Sequence, residues 1–590
     1  MDAEDGLDAV KAWLRDHWGP LVAILAVFVL YAPTLGRGLV NYDDPWLYAD
    51  NHLLQHVSWS GIVTVFTDLD SPSRYALSPE YLPIRDLSVM ADYAVWGHHY
   101  GGFHLTNLVI YSAAIALWYG ALRGFGVPKT IAATAILIWA VHPSHAESVA
   151  WLAERKGLLG VAWSGACAFA YTKYRVGGRW WWLAFAMVAG VAAVWSKAIA
   201  AFAVGAIAGL ELVTRDHARR RAVIGVGAIG LAAVLAYIPV VMLAVRWDIV
   251  GAAGNVLPAS RAAAVFGVHG FYLELTAGVI TNAVSYPIAS TGPSIVNLVI
   301  GALGFAGVGA ALWKGDRVIR IAAVIWLFGW LPVGHLLLPL QMVFVADRYL
   351  LVPSLGAAIA IAWLISKLRP RMRVMASVLV VIGFMLRAFV AQSGWADNEQ
   401  LWDRAIASNP ADGNAWAMYL EALDAEGRAA DAQDIVTEAL THSRLPRLVM
   451  HAALTASALH HDDEALALMH EAAFHGEPRA MANYANMLAE RGQLQEALRW
   501  ARYATTAAPS YANGHRIRGK VARLIDQYST ESVHAFERAY TIDPGDAVNR
   551  YNLGIAYGDA KRTDDARKLL ESCLDDPRLA RPAQTALGHL

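Results

Sequence analysis

Between residues 19 and 391 the sequence is cut into apolar runs of bilayer length, and after residue 395 such runs stop. This division constrains the fold more than any other feature. A segment crossing the ~30 Å hydrocarbon core must satisfy its own backbone N–H and C=O groups, and a helix does so internally. The runs fall at 19–36, 104–123, 129–146, 157–174, 180–196, 198–214, 221–245, 294–313, 318–338, 348–366 and 372–391, which gives about eleven spans. A further stretch, 263–285, carries His269, Glu274 and Asn282 and is expected to lie in the interface or to re-enter. The expected architecture is all-α: a polytopic helical bundle over 1–394 and a water-exposed domain over 395–590.

Lys and Arg collect in one set of short loops: 123–129, 173–179, 215–221, 314–320 and 367–373. The positive-inside rule makes these cytoplasmic. The 37–103, 142–156 and 246–262 loops and the C-terminal half then lie outside, and the N-terminus inside. The first run has no small-residue cleavage site and reads as a retained helix. A net charge of −1 argues against a nucleic-acid surface. The two cysteines, Cys167 and Cys573, fall in different domains, which argues against a disulfide framework or a Cys-based metal site.

Prolines recur at 410, 446, 478, 509, 544 and 577, in steps of 31 to 36 residues. A period near 34 is that of the tetratricopeptide repeat. Trp416, Tyr419, Leu420, Leu423, Gly427, Ala432 and Ala439 fall at its signature spacings. So do Tyr484, Ala485, Leu488, Gly492, Ala497, Ala501, Ala504 and Pro509, and then Leu553, Gly554, Tyr557 and Ala566. Small residues let paired helices approach, large ones fill the gap, and stacking makes the core. Such a solenoid either holds a peptide in its groove or acts as a structural cap.

Polar residues close to lipid are costly, so each is a site candidate. Asp43 and Asp44, in "VNYDDPWLYADN", are a carboxylate pair in which one raised pKa would serve a general base; the same residues also suit a solvated turn. In 78–107, Ile84, Leu87, Val89, Met90, Tyr93 and Trp96 suggest a helix lying on the membrane, with Arg85 gripping a phosphate or pairing with Asp86. "HPSHAESVAWLAERKG" gathers His142, His145, Glu147, Glu154, Arg155 and Lys156; the spacing is poor for a metal and better for an anion-holding rim. Lys197, between short apolar runs, either snorkels or binds a lipid phosphate. Asp347, Arg348 and Tyr349 sit at a span mouth, as a site or as an ion pair with a belt tyrosine. All of these lie on the expected outer face. One carboxylate pair and several cations there match the needs of transfer from a lipid-linked phosphate.

"NYDDPWLYADN", "YLPIRDLS", "GGFHLTNLVIYSAAIAL", "HPSHAESVAWLAERKGLLG", "WSKAIA" and "ADRYLLVPSLG", followed by repeats, resemble the transmembrane and tetratricopeptide-repeat O-mannosyltransferases over nearly the whole chain. The resemblance implies a GT-C glycosyltransferase of the cytoplasmic membrane, with its active site and repeat domain on the periplasmic side. It implies a polyprenyl-phosphate sugar donor and maps the catalytic carboxylate onto Asp43, with Asp44 second. The donor phosphate falls to Arg85, Lys197 and Arg348, and the remaining candidates line the pocket. The repeats are expected to recruit an exported protein whose Ser or Thr hydroxyl accepts the sugar. No cofactor is required; a divalent metal is allowed but not favoured. "YLPIRDLS" stands where "YRPL" is usual, "ERKG" where "ERKD" is common, and "SKAIA" lacks a following acid, so a sugar other than the expected mannose is allowed. Two alternatives stay open: the same chemistry on a lipid or cell-wall glycan, and a non-catalytic membrane scaffold. A transporter fits less well, because the charges gather at one face and not at the midplane.

Overall fold

The computed structural model describes residues 18–69, 77–78, 80–214, 219–246, 260–337, 340 and 343–590. Each of the apolar runs contains a helix, though 318–338 is helical only to Trp330, and the described residues contain no strand. The N-terminal tail, the 215–218 part of one basic loop and nearly all of the 246–262 loop lie outside the described residues. The described residues divide into two compact units, one running to Asn409 and the other Pro410–Leu590. The division lies after Asn409 because helix Asn398–Ser408 packs with the first unit. Its Leu401 and Trp402 are buried, and Trp402 Nε1 donates to Asn41 Oδ1 at 2.6 Å.

In the first unit, helices Trp18–Gly36, Tyr100–Gly124, Arg219–Arg246, Ile295–Lys314 and Pro370–Ser393 are each long and apolar enough to cross a membrane. Helices Lys129–Ala140, Trp180–Ser196, Ala200–Thr214 and Pro353–Ser366 are apolar but shorter. The 129–146 run stops being one helix at Ala140, and the rest is a turn and the short helix His145–Ala150. The main core joins Trp118, Trp139 and Tyr171 with alanines and branched aliphatics from these helices. Most of Ile295–Lys314 and Pro370–Ser393 is exposed, with Leu303, Leu379 and Leu386 each more than 60% open. A lone water-soluble helix would bury such a face, so this pattern fits lipid contact.

The 263–285 stretch is a mostly buried helix, Arg261–Thr276, followed by an irregular segment; it packs on Ile295–Lys314 so closely that a Cβ on Gly301 would meet the Phe266 carbonyl at 1.8 Å. One expectation is corrected. Helix Pro83–Trp96 does not turn Val89, Met90 and Tyr93 to a bilayer: they are buried in protein, with Arg85, Asp86 and Asp92. The charges on this helix find protein partners, so its apolar face closes inward.

The second unit is an α-solenoid of tetratricopeptide type. Five helix pairs follow one another: Gly413–Ala425 with Ala429–His442, Pro446–Ala458 with Asp462–Phe474, Pro478–Glu490 with Leu494–Ala507, Ala512–Ile525 with Thr530–Ile542, and Ala547–Asp559 with Thr563–Glu571. Helix Ala580–Leu587 ends the stack. Trp416, Leu420, Leu423, Ala432 and Ala439 are buried, as are Tyr484, Leu488, Ala497 and Ala501. Two residues past the first helix of four pairs, the backbone is left-handed: Gly427, His460, Gly492 and Lys561 have φ of +71, +60, +77 and +61°. That conformation ends the helix and reverses the chain.

Candidate active site

The turn at Asn41–Asp43 and the following Pro45–Ala49 helical turn set the two acids apart. Asp44 faces inward. Its Oδ2 accepts the Val40 amide at 3.1 Å and its Oδ1 the Ala153 amide at 2.9 Å. It is 1% exposed. Burial raises its pKa to about 7 even though the two amides oppose the shift. Asp44 therefore ties the first loop to the 151–154 segment. Asp43 is half-buried, accepts the Trp46 indole N–H on Oδ1 at 3.3 Å, and keeps its other oxygen without a hydrogen bond among the described residues.

The 142–157 segment splits in the same way. His145 lies in the core between Tyr111 Oη at 2.6 Å and Ser354 Oγ at 2.8 Å. His142 bonds Ser144 Oγ at 2.7 Å and is 1% exposed. Both histidines are packing groups. Arg155 is fully buried: it reaches Asp92 at 2.5 Å, Asn107 Oδ1 at 2.7 Å and the Phe103 carbonyl at 2.8 Å. These three candidates hold the segment to its neighbours and are not brought to an open pocket. Lys156 pairs with Glu80 at 2.6 Å and is partly exposed. Arg85 is 1% exposed, engaged with Asp86 at 2.6 Å and with the Leu77 carbonyl at 3.0 Å, with its guanidinium 5.8 Å from the Trp46 ring centre.

Glu147, Glu154, Lys197, Arg348 and Tyr349 do come together. The 3₁₀ turn Asp347–Leu350 presents Arg348 to Glu147, which accepts its backbone amide at 2.8 Å and pairs with its guanidinium. Glu154 pairs with Lys197, which sits in the bend between Trp180–Ser196 and Ala200–Thr214. Lys197, Arg348 and Tyr349 line one narrow cleft with Gly157, Gly160 and Ala200. A Cβ on Gly157 would meet Glu154 Oε1 at 2.3 Å, so this glycine is what lets the Glu154–Lys197 pair close. Asp347 points the other way, accepting Asn282 Nδ2 at 2.8 Å and the Tyr286 hydroxyl. Burial first, and then the charge of Glu147, raises its pKa well above the usual carboxylate range.

An aromatic wall joins these groups to Asp43. Tyr42 packs on Trp151 at 4.8 Å and on Trp402 at 5.7 Å, and Trp151 stacks on Trp395 at 5.5 Å. The Arg348 guanidinium lies 5.5 Å from Trp151 and 5.3 Å from Tyr349. Tyr42 feels the charges of Arg348, Glu147, Asp43 and Tyr349, which places all four around it. Sequence reasoning missed Tyr42, Trp151, Trp395 and Trp402. Their only signal was position, since each lies within a few residues of an acidic or basic candidate or of the domain boundary. Among the described residues no group of three or more His, Cys, Asp or Glu could hold a metal ion.

Chemically, the cluster offers an open carboxylate, an aromatic wall of the kind that packs on a sugar ring, and two cations. Each cation is already paired with one carboxylate, so an incoming phosphate would share it.

No protein-family model matches the sequence, and no curated protein matches it. Solved structures that resemble parts of it include the apo form of the Archaeoglobus fulgidus oligosaccharyltransferase, at 16% identity and a TM-score of 0.37 over 69% of this chain and 60% of that one. The chain thus spans less than two thirds of that enzyme's length. YrrB, a TPR protein with an unusual peptide-binding site, aligns at 19% identity and a TM-score of 0.25 over 31% of this chain and 97% of its own. The APC/C hetero-tetramer Cut9–Hcn1 aligns at 12% identity and a TM-score of 0.31 over 89% and 98%. Likenesses this loose decide neither ancestry nor chemistry.

Proposed function

We propose that the chain is a GT-C-type glycosyltransferase of the cytoplasmic membrane that moves a sugar, mannose by expectation, from a polyprenyl phosphate to Ser or Thr hydroxyls of an exported protein. Asp43 takes the proton of the acceptor hydroxyl. The freed oxygen attacks the anomeric carbon, the bond from that carbon to the phosphate oxygen breaks, and its electron pair leaves with the polyprenyl phosphate. Attack from the face opposite the leaving group inverts the anomeric centre. Arg348 and Lys197 meet the charge that develops on the phosphate, where preorganised cations have their largest effect. Arg85, engaged by Asp86, acts through the position of the first loop. The repeat unit recruits the acceptor protein. The site faces the periplasm.

One observation carries the choice of base. Asp44, Glu147 and Asp347 have both carboxylate oxygens bonded, and the second oxygen of Glu154, though it has no hydrogen bond, is fully buried behind the Lys197 pair, whereas half-buried Asp43 keeps an accessible oxygen for an incoming hydroxyl.

The test is transfer by purified protein from a panel of polyprenyl-phosphate sugars to periplasmic extract. Asp43→Asn is expected to lose about 10²–10⁴-fold in rate with donor binding intact, the usual contribution of a positioned base. Asp44→Asn is expected to change stability first. Full transfer by Asp43→Asn would remove the residue from the reaction. Absence of transfer and of donor binding by the wild type, across the panel, would favour the scaffold.

A further inference from the structure

A second opening lies away from the Lys197 cleft. The groove between the end of helix Pro370–Ser393 and the segment 281–283 has a volume of about 780 Å³. Arg387 and Arg404 both line it, with Asn282, Ser408, Leu386 and Val390. Neither arginine forms an ion pair among the described residues. Arg387 donates to the Ile280 carbonyl at 2.7 Å, and its Nε is buried without a partner. Arg404 donates to the Val390 carbonyl and to Ser393 Oγ at 2.9 Å. The two carboxylates that line a small cavity together with Arg404 are not available to neutralise it. Glu147 is taken by Arg348, and Asp347 by Asn282 and Tyr286.

Arg387 lies on Pro370–Ser393, a helix long and apolar enough to cross a membrane, where an unneutralised guanidinium is costly unless an anion answers it, and Arg404 reaches the same groove from helix Asn398–Ser408. Beside them, Leu386 is 64% and Val390 55% exposed, on a helix long and apolar enough to cross a membrane. The groove therefore presents a forked cationic end and an apolar wall, which matches a phosphate head attached to a hydrocarbon chain. We propose that this groove binds an anionic, phosphate-headed membrane lipid, its phosphate between Arg387 and Arg404 and its chain along Leu386 and Val390. An acidic peptide would satisfy the arginines but leave the apolar wall unexplained. Asn282, Ala283, Ala391 and Arg404 also line the small cavity that holds Glu147 and Asp347. The lipid head thus sits beside the acidic side of the site, whereas Arg348 and Lys197 share the other cleft.

Delipidated full-length protein would be titrated with mixed micelles containing phosphatidylglycerol or phosphatidylcholine, and retained lipid read by native mass spectrometry. Phosphatidylglycerol is expected to be retained at least about tenfold over phosphatidylcholine. Arg387→Gln with Arg404→Gln is expected to lower retention about thirtyfold, each arginine contributing roughly a factor of five towards an anionic lipid. Lys197→Gln should leave it unchanged. Val390→Asp, at an exposed position where folding is spared, should also reduce it. Equal retention of the two lipids, or retention unaffected in both the double variant and Val390→Asp, would overturn the proposal. So would loss on Lys197→Gln alone, which would move the lipid to the other cleft. Stripping of the lipid by millimolar inorganic phosphate or by an acidic peptide would overturn it too, because the hydrocarbon wall would then contribute nothing.

Discussion

Replacing Glu147 with Gln tests how the charges of the site hold one another. In the wild type both Glu147 oxygens are engaged by Arg348, through the amide and through the guanidinium, with the two side chains 3% and 10% exposed. Removing one partner of a buried pair leaves the other charge uncompensated, at a cost of about 3–5 kcal/mol. Asp347 softens the loss. Burial and the charge of Glu147 raise the pKa of its carboxyl well above the usual range. Once Glu147 is neutral, Asp347 ionises more readily and offers Arg348 a replacement charge. Each unit by which its pKa relaxes returns about 1.4 kcal/mol. The expected net loss for Glu147→Gln is therefore smaller than that full cost, and Glu147→Gln with Asp347→Asn should lose more than the two singles combined. The pH dependence carries a second signature. A carboxyl whose folded pKa is raised stabilises the fold fully below about pH 4, and that stability is lost as pH rises through the folded value. Glu147→Gln lowers the folded value of Asp347, so the decline of stability with rising pH should be shallower than in the wild type. Unfolding in detergent from pH 4 to 8, for the wild type, both singles and the double, measures all of this. A loss under about 1 kcal/mol for Glu147→Gln, or strict additivity in the double, would refute the coupling.

Asp44→Asn should flatten the part of the stability profile due to Asp44. With its folded pKa raised to about 7, the wild type loses stability between about pH 4 and pH 7, by about 4 kcal/mol at most, and melting across that range would reveal whether the variant does. Gly157→Ala should force Glu154 and Lys197 apart and raise the KM for donor more than it lowers kcat, since the added Cβ meets the Glu154 carboxylate; unchanged steady-state constants would count against the cleft. Gly427→Ala should destabilise the repeat unit by about 1 kcal/mol through its left-handed backbone, with open space around it, while His460→Gly at the matching turn should not. Denaturant midpoints of the two variants distinguish backbone conformation from packing.

The two-part organisation, the helical class and the repeats were legible in the sequence because each is written in local periodicity. A run of bilayer length or a spacing of about 34 residues means the same thing wherever the chain goes next. Much of the candidate site was legible as well: Glu147, Glu154, Lys197, Arg348 and Tyr349 were singled out, and they meet. What the sequence left undecided was the role of each charge. Asp43 and Asp44 are adjacent and chemically identical, yet one is tied by the amide of Ala153, 109 positions away, and the other is open. His142, His145 and Arg155 carry the chemistry of a site but are consumed by Ser144, Tyr111, Ser354, Asp92 and Asn107 in the packed interior. Helix Pro83–Trp96 has an apolar face that suits a membrane, and protein covers it instead. By itself, the sequence determined which groups could ionise, which segments are helical and which runs are apolar enough for lipid. Only the tertiary structure decided which charges are neutralised and which stay open, because that depends on partners brought within 3 Å from distant parts of the chain, and burial without a partner costs more than any local preference supplies.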